Sequence, residues 1–220
     1  MCPAPADREA ERARLVDYMA RRGIHDDAVL AAMQLVPREL FVPPELAEFA
    51  YRDTALPIEA GQTISQPYVV ALMIQALELR TADRVLEIGT GSGYAAAVLG
   101  RVAGEVYTVE RLAELAGMAR ERLAELGYDN IEVRHGDGHA GWPEHAPYDG
   151  IVVAAAAGEV PEQLRLQLAV GGRLVIPVGA AFAPHELLRI RRTRPDEFRV
   201  EKLGEVRFVP LLPGHTDTTD

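Results

Sequence analysis

A glycine-rich turn between two apolar segments constrains this chain more than any other feature. Residues 84–88 are mostly apolar and β-branched, which is typical of a buried parallel strand. The turn GTGSG follows at 89–93, and residues 94–102 then resume as a helix of mostly alanine and aliphatic side chains. A second apolar segment at 105–109 ends on Glu110. The order strand, glycine turn, helix, strand and acid predicts a βαβ nucleotide-binding unit.

The spacing of the glycines indicates which nucleotide this unit binds. Dinucleotide-binding folds carry G-x-G-x-x-G, whereas Tyr94 stands here at the sixth position. Glu87, two residues before Gly89, completes E-x-G-x-G-x-G, a motif that resembles that of S-adenosylmethionine methyltransferases of the Rossmann-like class. Glycines let the backbone pass close to a ligand, and Glu110 can accept hydrogen bonds from both hydroxyls of a ribose. The alternative is that the glycines form only a tight turn.

Composition and charge narrow the class of protein. With 220 residues, 48% of them hydrophobic and 25% charged, the chain can form one globular domain with a substantial core. A net charge of −10 argues against nucleic acid or an anionic membrane as the main partner. The single cysteine, Cys2, allows no disulfide framework, and the longest apolar run, 151–157, is too short to span a bilayer. No apolar signal region is present, so we expect a cytoplasmic protein.

A loop at 56–67 precedes a helix that runs to about residue 79. Pro67 suits the first helical position, so Ser65 or Gln66 lies in the N-cap region. A hydroxyl and free backbone N–H groups at a helix N-terminus can bind a carboxylate. The alternative is that Ser65 only caps the helix, and the spacing favours neither reading.

The remaining pattern predicts a doubly covered sheet. Two helices precede the sheet in the sequence and are expected to pack on it as a cover. They are predicted at 9–22 and from the N-cap Asp26 to Pro37. The predicted elements after the glycine turn are a helix at 112–126, strands at 131–135 and 148–155, a helix at 161–168, a strand at 173–178 after a Gly171–Gly172 turn, and antiparallel strands at 186–192 and 199–203. Residues 1–8 and 215–220 are expected to be disordered.

Asp137 follows the predicted strand 131–135 at its carboxyl end. Ligands of open parallel sheets bind at that edge, so Asp137 is expected to meet the adenine amino group. The alternative is an Asx-turn residue. The six histidines are scattered, and no acid or cysteine completes a metal-binding set, so we expect no metal.

Several segments together resemble the protein-L-isoaspartate (D-aspartate) O-methyltransferase family. The most specific is the run from Leu56 to Tyr68, with its Gly-Gln-Thr-Ile-Ser-Gln-Pro core. Further matching segments are 36–43, 85–94, 137–138, 171–179 and 208–211, so the resemblance covers roughly residues 15–214. It implies one α/β domain over 1–220 with a Rossmann-like class I methyltransferase fold: a mostly parallel sheet with helices on both faces, an N-terminal helical cover and C-terminal antiparallel strands.

The resemblance also implies a role for individual residues. Ser65 is the active-site residue, Glu110 binds the ribose, and Asp137 with Gly138 holds the adenine. The residues expected to bind S-adenosylmethionine, and its product S-adenosylhomocysteine, are Thr63, Ile64, Ser65, Gln66, Glu87, Gly89, Thr90, Gly91, Ser92, Gly93, Glu110, Asp137 and Gly138. Those expected to bind isoaspartyl-containing proteins and peptides are Ile64, Ser65, Gln66, Val209 and Pro210. A monomer is expected.

Two positions depart from the family pattern. Residues 154–157 are all alanine where the family often has a threonine first, and Leu212 stands where some members have a threonine. Both changes concern the fine positioning of ligands and leave the implied activity in place.

The chemistry agrees with the absence of a paired acid and base in the sequence. An α-carboxylate with a pKa of about 3.5 is already ionised at neutral pH, so its methylation needs no general base. An isoaspartyl residue differs from aspartate by a methylene in the main chain, so selection must read the peptide backbone. We expect residues 64–66 and 208–210 to clamp it, with carbonyls beside Pro210 left free for a guest strand. Two alternatives remain: a methyltransferase for aspartate in a dedicated peptide, and a nucleotide-binding regulatory module without turnover.

Overall fold

The computed structural model of this protein describes residues 5–180 and 183–216. The helices are α1 (Pro5–Arg21), α2 (Asp27–Leu35), α3 (Pro67–Leu77), α4 (Tyr94–Val102), α5 (Ala113–Glu125) and α6 (Glu162–Leu166). The strands are β1 (Leu56–Pro57), β2 (Thr63–Ile64), β3 (Arg84–Ile88), β4 (Glu105–Glu110), β5 (Ile131–His135), β6 (Tyr148–Val153), β7 (Leu168–Val178), β8 (His185–Arg194) and β9 (Glu197–Val206). Short 3-10 turns lie at Arg38–Phe41, Pro44–Phe49, Glu59–Gly61 and Pro143–His145.

Seven strands form the central sheet in the order β5-β4-β3-β6-β7-β8-β9. Strands β3 to β7 pair in parallel, and β8 and β9 extend the sheet as antiparallel strands. The chain proceeds outward from β3 to β5 and then returns to the other side of β3 as β6. The strand order therefore reverses between β3 and β6, and a crevice opens at the carboxyl ends of these two strands.

Alternating side chains bury both faces of the sheet. Val85, Val152 and Val175 pack on the face covered by α3, α4 and α5, whereas Leu86 and Ile151 pack on the face covered by α6. Helix α2 packs on α4, and α1 packs on α2. The predicted N-terminal cover, the mostly parallel sheet and the C-terminal antiparallel strands are thus confirmed.

The Asp26 carboxylate caps α2 as predicted. Its Oδ1 accepts hydrogen bonds from the backbone N–H groups of Ala28 and Val29, at 2.9 and 3.1 Å. None of the helices within the described ranges combines the length and the apolar character of a transmembrane span.

Several predicted boundaries were wrong. The helix at 161–168 is shorter because Leu168 already pairs with Tyr148 as the start of β7, so the predicted Gly171–Gly172 turn lies inside that strand. A Cβ on Gly172 would lie 2.8 Å from the carbonyl oxygen of Asp149, and only glycine fits this approach of β7 to β6. Strand β6 ends at Val153, and α3 ends at Leu77.

The structure describes part of both terminal segments, 1–8 and 215–220, whose expected disorder stays a prediction. Helix α1 begins at Pro5, and Thr216 forms a β-bridge with Leu112. Residues 1–4, which include Cys2, and 217–220 lie outside the described residues.

Candidate active site

The glycine turn lies at the crevice where the strand order reverses. Gly89, Gly91 and Gly93 have φ values of 92°, 53° and 90°, a left-handed conformation that favours glycine at each position. A Cβ on Gly89 would contact Ala154, which follows β6, at 3.5 Å. The turn thus keeps its backbone open to the crevice, and Gly93 leads directly into α4.

An inner cavity of about 190 Å³ lies against this turn. Its walls come from the glycine turn, the end of β4, the start of α5 and the segment after β9. The residues that line the inner cavity are Gln62, Thr63, Ile88, Gly89, Gly91, Val109, Glu110, Arg111, Leu112, Leu115, Gly138, Ala154, Ala155, Val209, Pro210, Leu211 and Leu212.

Glu110 is the carboxylate of the inner cavity. Its side chain is held at both oxygens, because Oε2 accepts from the N–H of Gly91 at 2.9 Å and Oε1 from the N–H of Leu112 at 3.0 Å. Each oxygen retains a further lone pair for a ligand hydroxyl. Glu110 is therefore a fixed acceptor for a diol beside the glycine turn.

Glu87 lies deeper than Glu110 and does not line the inner cavity. Its Oε2 accepts from the Thr108 hydroxyl at 2.6 Å, and Thr108 is in turn 2.6 Å from the Thr90 hydroxyl. Its Oε1 is buried without a hydrogen-bond partner among the described residues. Complete burial, with a smaller contribution from the charge of Glu110, raises the pKa of Glu87 to about 8. Glu87 is thus protonated at neutral pH and supports the turn from below.

Glu87→Gln is expected to remove a pH-dependent part of the stability. The pKa of Glu87 rises from 4.5 to about 8 on folding, so the folded state retains a proton that the unfolded chain releases above pH 4.5. The contribution of Glu87 to the free energy of unfolding is largest below pH 4.5. It decreases by up to about 1.4 kcal/mol per pH unit as the pH rises to 8. Urea unfolding of both proteins between pH 5 and 9 measures this. Parallel pH profiles for the wild type and the variant would contradict it.

Asp137 is engaged within the protein. Its Oδ1 accepts from the N–H of His139 at 2.8 Å, as in an Asx-turn, and its Oδ2 accepts from the N–H of Gly214 at 2.8 Å. Partial burial opposes ionisation, but these donors outweigh it and lower the pKa of Asp137. Gly138 lines the inner cavity, where a Cβ would lie 2.4 Å from Ile88 Cγ2. The contact of Asp137 with an adenine remains a prediction.

An outer cleft of about 1110 Å³ adjoins the inner cavity. Five residues line both spaces: Thr63, Ala154, Val209, Pro210 and Leu211. The other residues that line the outer cleft are Thr54, Ala55, Ser65, Gln66, Val69, Ala156, Gly158, Gly179, Ala180, Ala183, Pro184, His185, Glu205, Val206, Arg207 and Phe208. A ligand in the cleft therefore lies beside a ligand in the cavity.

Ser65 is not the cap of α3. The N-cap is Gln66, whose side chain makes no capping bond, and the N–H of Tyr68 donates instead to Asp53 Oδ1 at 2.9 Å. Gln66 Nε2 also donates to Asp53 Oδ2 at 2.9 Å. The Ser65 hydroxyl makes no hydrogen bond within the described part of the chain, and it faces the outer cleft. It is thus available to a ligand.

The segment after β9 closes the site. Ala156 donates its N–H to the carbonyl of Val209 at 2.8 Å, and Leu211 donates its N–H to the carbonyl of Ala156 at 2.7 Å. The expectation that carbonyls beside Pro210 stay free was therefore wrong for Val209. Ala156 follows β6, and its N–H bonds to the carbonyl of Val209 because a buried backbone N–H needs an acceptor.

The structure brings together most, but not all, of the predicted ligand-binding residues. The residues that line one or both spaces are Thr63, Ser65, Gln66, Gly89, Gly91, Glu110, Gly138, Val209 and Pro210. Those that line neither space are Ile64, Glu87, Thr90, Ser92, Gly93 and Asp137. Ile64 is buried beneath the Ser65 loop, so only its neighbours reach the cleft.

Sequence reasoning missed several residues of the outer cleft, among them Thr54, His185 and Arg207. His185 is buried at the start of β8, and its Nδ1 accepts from the N–H of Phe208 at 3.4 Å. These residues come from distant loops, and no local motif marks them. Among the described residues, no group of three or more His, Cys, Asp or Glu could hold a metal ion.

The strand order, the glycine turn at its reversal and the carboxylate at the end of β4 define a Rossmann-like class I methyltransferase. A family model described as protein-L-isoaspartate(D-aspartate) O-methyltransferase (PCMT) matches residues 10–216. The chain belongs to this family, as the sequence resemblance predicted.

Individual relatives agree with this membership. Protein-L-isoaspartate O-methyltransferase 2 of Pelobacter propionicus is 59% identical over 212 residues, covering 96% of this chain and 94% of that protein. Protein-L-isoaspartate O-methyltransferase 1 of Geotalea uraniireducens is 61% identical over 195 residues, 89% of each chain.

Solved structures share the fold. A protein-L-isoaspartate O-methyltransferase superposes with a TM-score of 0.82 at 32% identity, covering 90% of this chain and 65% of that chain. A protein-L-isoaspartate O-methyltransferase from Plasmodium falciparum, in complex with S-adenosyl-L-homocysteine, has a TM-score of 0.78 at 28% identity. This match covers 91% of this chain and 98% of that chain.

Proposed function

We propose that the enzyme binds S-adenosylmethionine in the inner cavity and an isoaspartyl peptide in the outer cleft. It transfers the methyl group of the cofactor to the α-carboxylate of L-isoaspartyl and D-aspartyl residues in damaged proteins and peptides, which starts their repair. S-adenosylhomocysteine is the second product. Family membership supports this activity. We assign the cofactor to the inner cavity and the peptide to the outer cleft because the two spaces share a wall.

The residues of the inner cavity fit this cofactor. Glu110 presents two fixed oxygens with free lone pairs, which suit the two hydroxyls of a ribose. Gly89 and Gly138 leave room where side chains would contact Ala154 or collide with Ile88. Val109 and Leu115 add apolar walls on which an adenine ring can pack. When bound, S-adenosylmethionine supplies an electrophilic methyl group on a sulfonium.

The residues of the outer cleft orient the acceptor. An α-carboxylate is ionised at neutral pH, so the protein has no proton to remove before transfer. The Ser65 hydroxyl, which is free of internal hydrogen bonds among the described residues, can donate to one carboxylate oxygen. Fixing the other oxygen toward the inner cavity lowers the barrier by several kcal/mol through orientation alone. Ser65 is therefore the residue to which we assign orientation of the substrate.

Selection of isoaspartate follows from the shape of the cleft between the Ser65 loop and the segment after β9. Both isoaspartyl and aspartyl residues offer a carboxylate, but the isoaspartyl main chain is longer by one methylene. Residues Gln66, Val209 and Pro210 line the outer cleft. We infer that these loops clamp the peptide backbone and make few selective contacts with the peptide side chains.

Matched peptides test this proposal. We expect a peptide that contains isoaspartate to be methylated about 10- to 200-fold more efficiently than the same peptide with aspartate. This is the range of discrimination that one methylene gives in a fitted site. Transfer of labelled methyl groups from S-adenosylmethionine gives kcat/KM for each. Equal efficiencies would contradict selection by the backbone and favour the alternative of a dedicated aspartyl peptide. Peptides with different residues beside the isoaspartate serve as the control and are expected to differ only modestly.

We also infer that the enzyme works as a cytoplasmic monomer without nucleic acid or membrane partners. The net charge of −10 disfavours polyanionic partners. A single cysteine in 220 residues suits a reducing compartment.

A further inference from the structure

Arg38 is a buried cation whose hydrogen bonds go to backbone carbonyls. It belongs to the segment 36–43, which resembles the family but has no role in the chemistry described above. Its side chain is completely buried at the start of the 3-10 turn Arg38–Phe41. No carboxylate within the described ranges forms an ion pair with it, although burying a charge costs several kcal/mol per ion. An arginine in this position requires an explanation.

The contacts of Arg38 converge on the Ser65 loop. Nη2 donates to the carbonyl of Ser65 at 2.9 Å, and Nε donates to the carbonyl of Ala50 at 3.0 Å. Nη2 also lies 3.5 Å from the carbonyl of Thr54, a residue of the outer cleft. One planar guanidinium thus ties the connector at 50–54 to the backbone of Ser65.

The same guanidinium reaches the glycine turn. Its Cζ lies 4.7 Å from the centre of the Tyr94 ring. Tyr94 is the first residue of α4, directly after Gly93, and its ring is buried and also packs edge-on against Phe41 at 5.6 Å. Arg38 therefore contacts both the backbone of Ser65 and the ring of the residue that follows the glycine turn.

This geometry matters because the other restraints on the loop lie on either side of Ser65, where β2 pairs with β1 up to Ile64 and Asp53 contacts the chain from Gln66 onward. The Ser65 hydroxyl forms no internal hydrogen bond among the described residues, and the capping contacts of Asp53 begin only at Gln66. The carbonyl bond from Arg38 is the contact that fixes the peptide plane of Ser65 itself. A displacement of about 1 Å at a reacting group can cost about 100-fold in rate.

We propose that Arg38 is a positioning residue, which sets the Ser65 hydroxyl relative to the glycine turn and so aligns the substrate carboxylate with the cofactor. The proposal rests on the role of Ser65 proposed above. It assigns Arg38 no contact with either ligand, so its loss affects turnover and not cofactor affinity.

Arg8 provides a matched control. It is also a buried arginine of the N-terminal cover, 8% exposed, and its Nη1 donates to the carbonyl of Ala47 at 2.6 Å. Among the described residues, no hydrogen bond or ion pair joins Arg8 to Ser65 or to a residue that lines the inner cavity or the outer cleft. Arg8 also forms an ion pair with Glu11 at 3.4 Å. Arg8→Met therefore removes a buried arginine tether from the same part of the fold without touching the Ser65 loop.

The test compares Arg38→Lys, Arg38→Met and Arg8→Met with the wild type, well below the lowest melting temperature. Arg38→Lys keeps the charge but lacks the planar fork, so we expect kcat for an isoaspartyl peptide to fall about 10-fold or more. The Kd for S-adenosylhomocysteine, measured by calorimetry, should stay within about twofold. Arg8→Met should lose stability and keep its kcat. A wild-type kcat in Arg38→Lys, or an equal loss in Arg8→Met, would overturn the proposal.

A double variant makes the test independent of stability. If Arg38 acts through Ser65, then Arg38→Lys should have no further effect on kcat in a Ser65→Ala background. Fully additive losses would show that Arg38 acts elsewhere and would overturn the positioning role. Full turnover by Ser65→Ala alone would instead overturn the function proposed for Ser65, and the positioning role with it. If Arg38→Met does not fold, the comparisons of kcat are made with Arg38→Lys alone.

Discussion

Glu110→Ala is expected to weaken the binding of S-adenosylhomocysteine by about 10- to 150-fold, which corresponds to the loss of about 1.5–3 kcal/mol from hydrogen bonds to a charged group. The carboxylate lines the inner cavity at the end of β4, and the N–H groups of Gly91 and Leu112 fix both of its oxygens. Its removal takes away the proposed ribose acceptor and also leaves the N–H groups of Gly91 and Leu112 without this partner. Isothermal calorimetry measures the affinity.

Two further variants make this result specific. Glu110→Gln retains one acceptor oxygen and is expected to give an intermediate affinity. Glu114→Ala removes an equal charge from an exposed position in the first turn of α5 and should bind as the wild type does. An unchanged Kd in Glu110→Ala would rule out the ribose assignment, and tight binding of NAD by the wild type would rule out the cofactor.

Ser65→Ala is expected to lower methyl transfer by about 10-fold or more while the melting temperature stays unchanged. A helix-capping serine would behave in the opposite way, losing about 1 kcal/mol of stability and keeping its turnover. The structure favours the first outcome, because Asp53 accepts the N–H of Tyr68 that a cap would otherwise serve. Initial rates with an isoaspartyl peptide and thermal unfolding are measured on the same preparation.

Asp53→Ala is the matched control for stability. It removes the carboxylate that bonds to Tyr68 and Gln66, so its melting temperature should fall. A lowered melting temperature together with full turnover in Ser65→Ala would contradict the role of Ser65 in orienting the substrate.

The nucleotide-binding half of the fold could be predicted from the sequence because its determinants are local. Strand β3, the glycine turn, α4 and β4 follow one another within 84–110, and Glu110 ends the unit that begins with Arg84. Backbone conformation at Gly89, Gly91 and Gly93 restricts the residue type directly. Short-range constraints of this kind are visible in a single sequence.

The rest could not be predicted, because it depends on contacts between distant segments. The carboxylate of Asp53 accepts the N–H of Tyr68 at the start of α3, although the two residues are 15 positions apart in the sequence. Spacing alone therefore left Ser65 as an equal candidate for the cap. The carbonyl of Val209 is taken by Ala156, a partner that only the closed fold brings near. Glu87 was placed correctly at the end of a buried strand, but its pKa depends on complete burial, which no spacing reveals.

The wall that the inner cavity and the outer cleft share has a thermodynamic consequence for the order in which ligands bind. Val209, Pro210 and Leu211 face both spaces, so a ligand in one space contacts the same backbone as a ligand in the other. If the cofactor orders this wall and raises the affinity for peptide by some factor, the peptide must raise the affinity for cofactor by the same factor. The same reciprocity would then link release of the methylated peptide to release of S-adenosylhomocysteine.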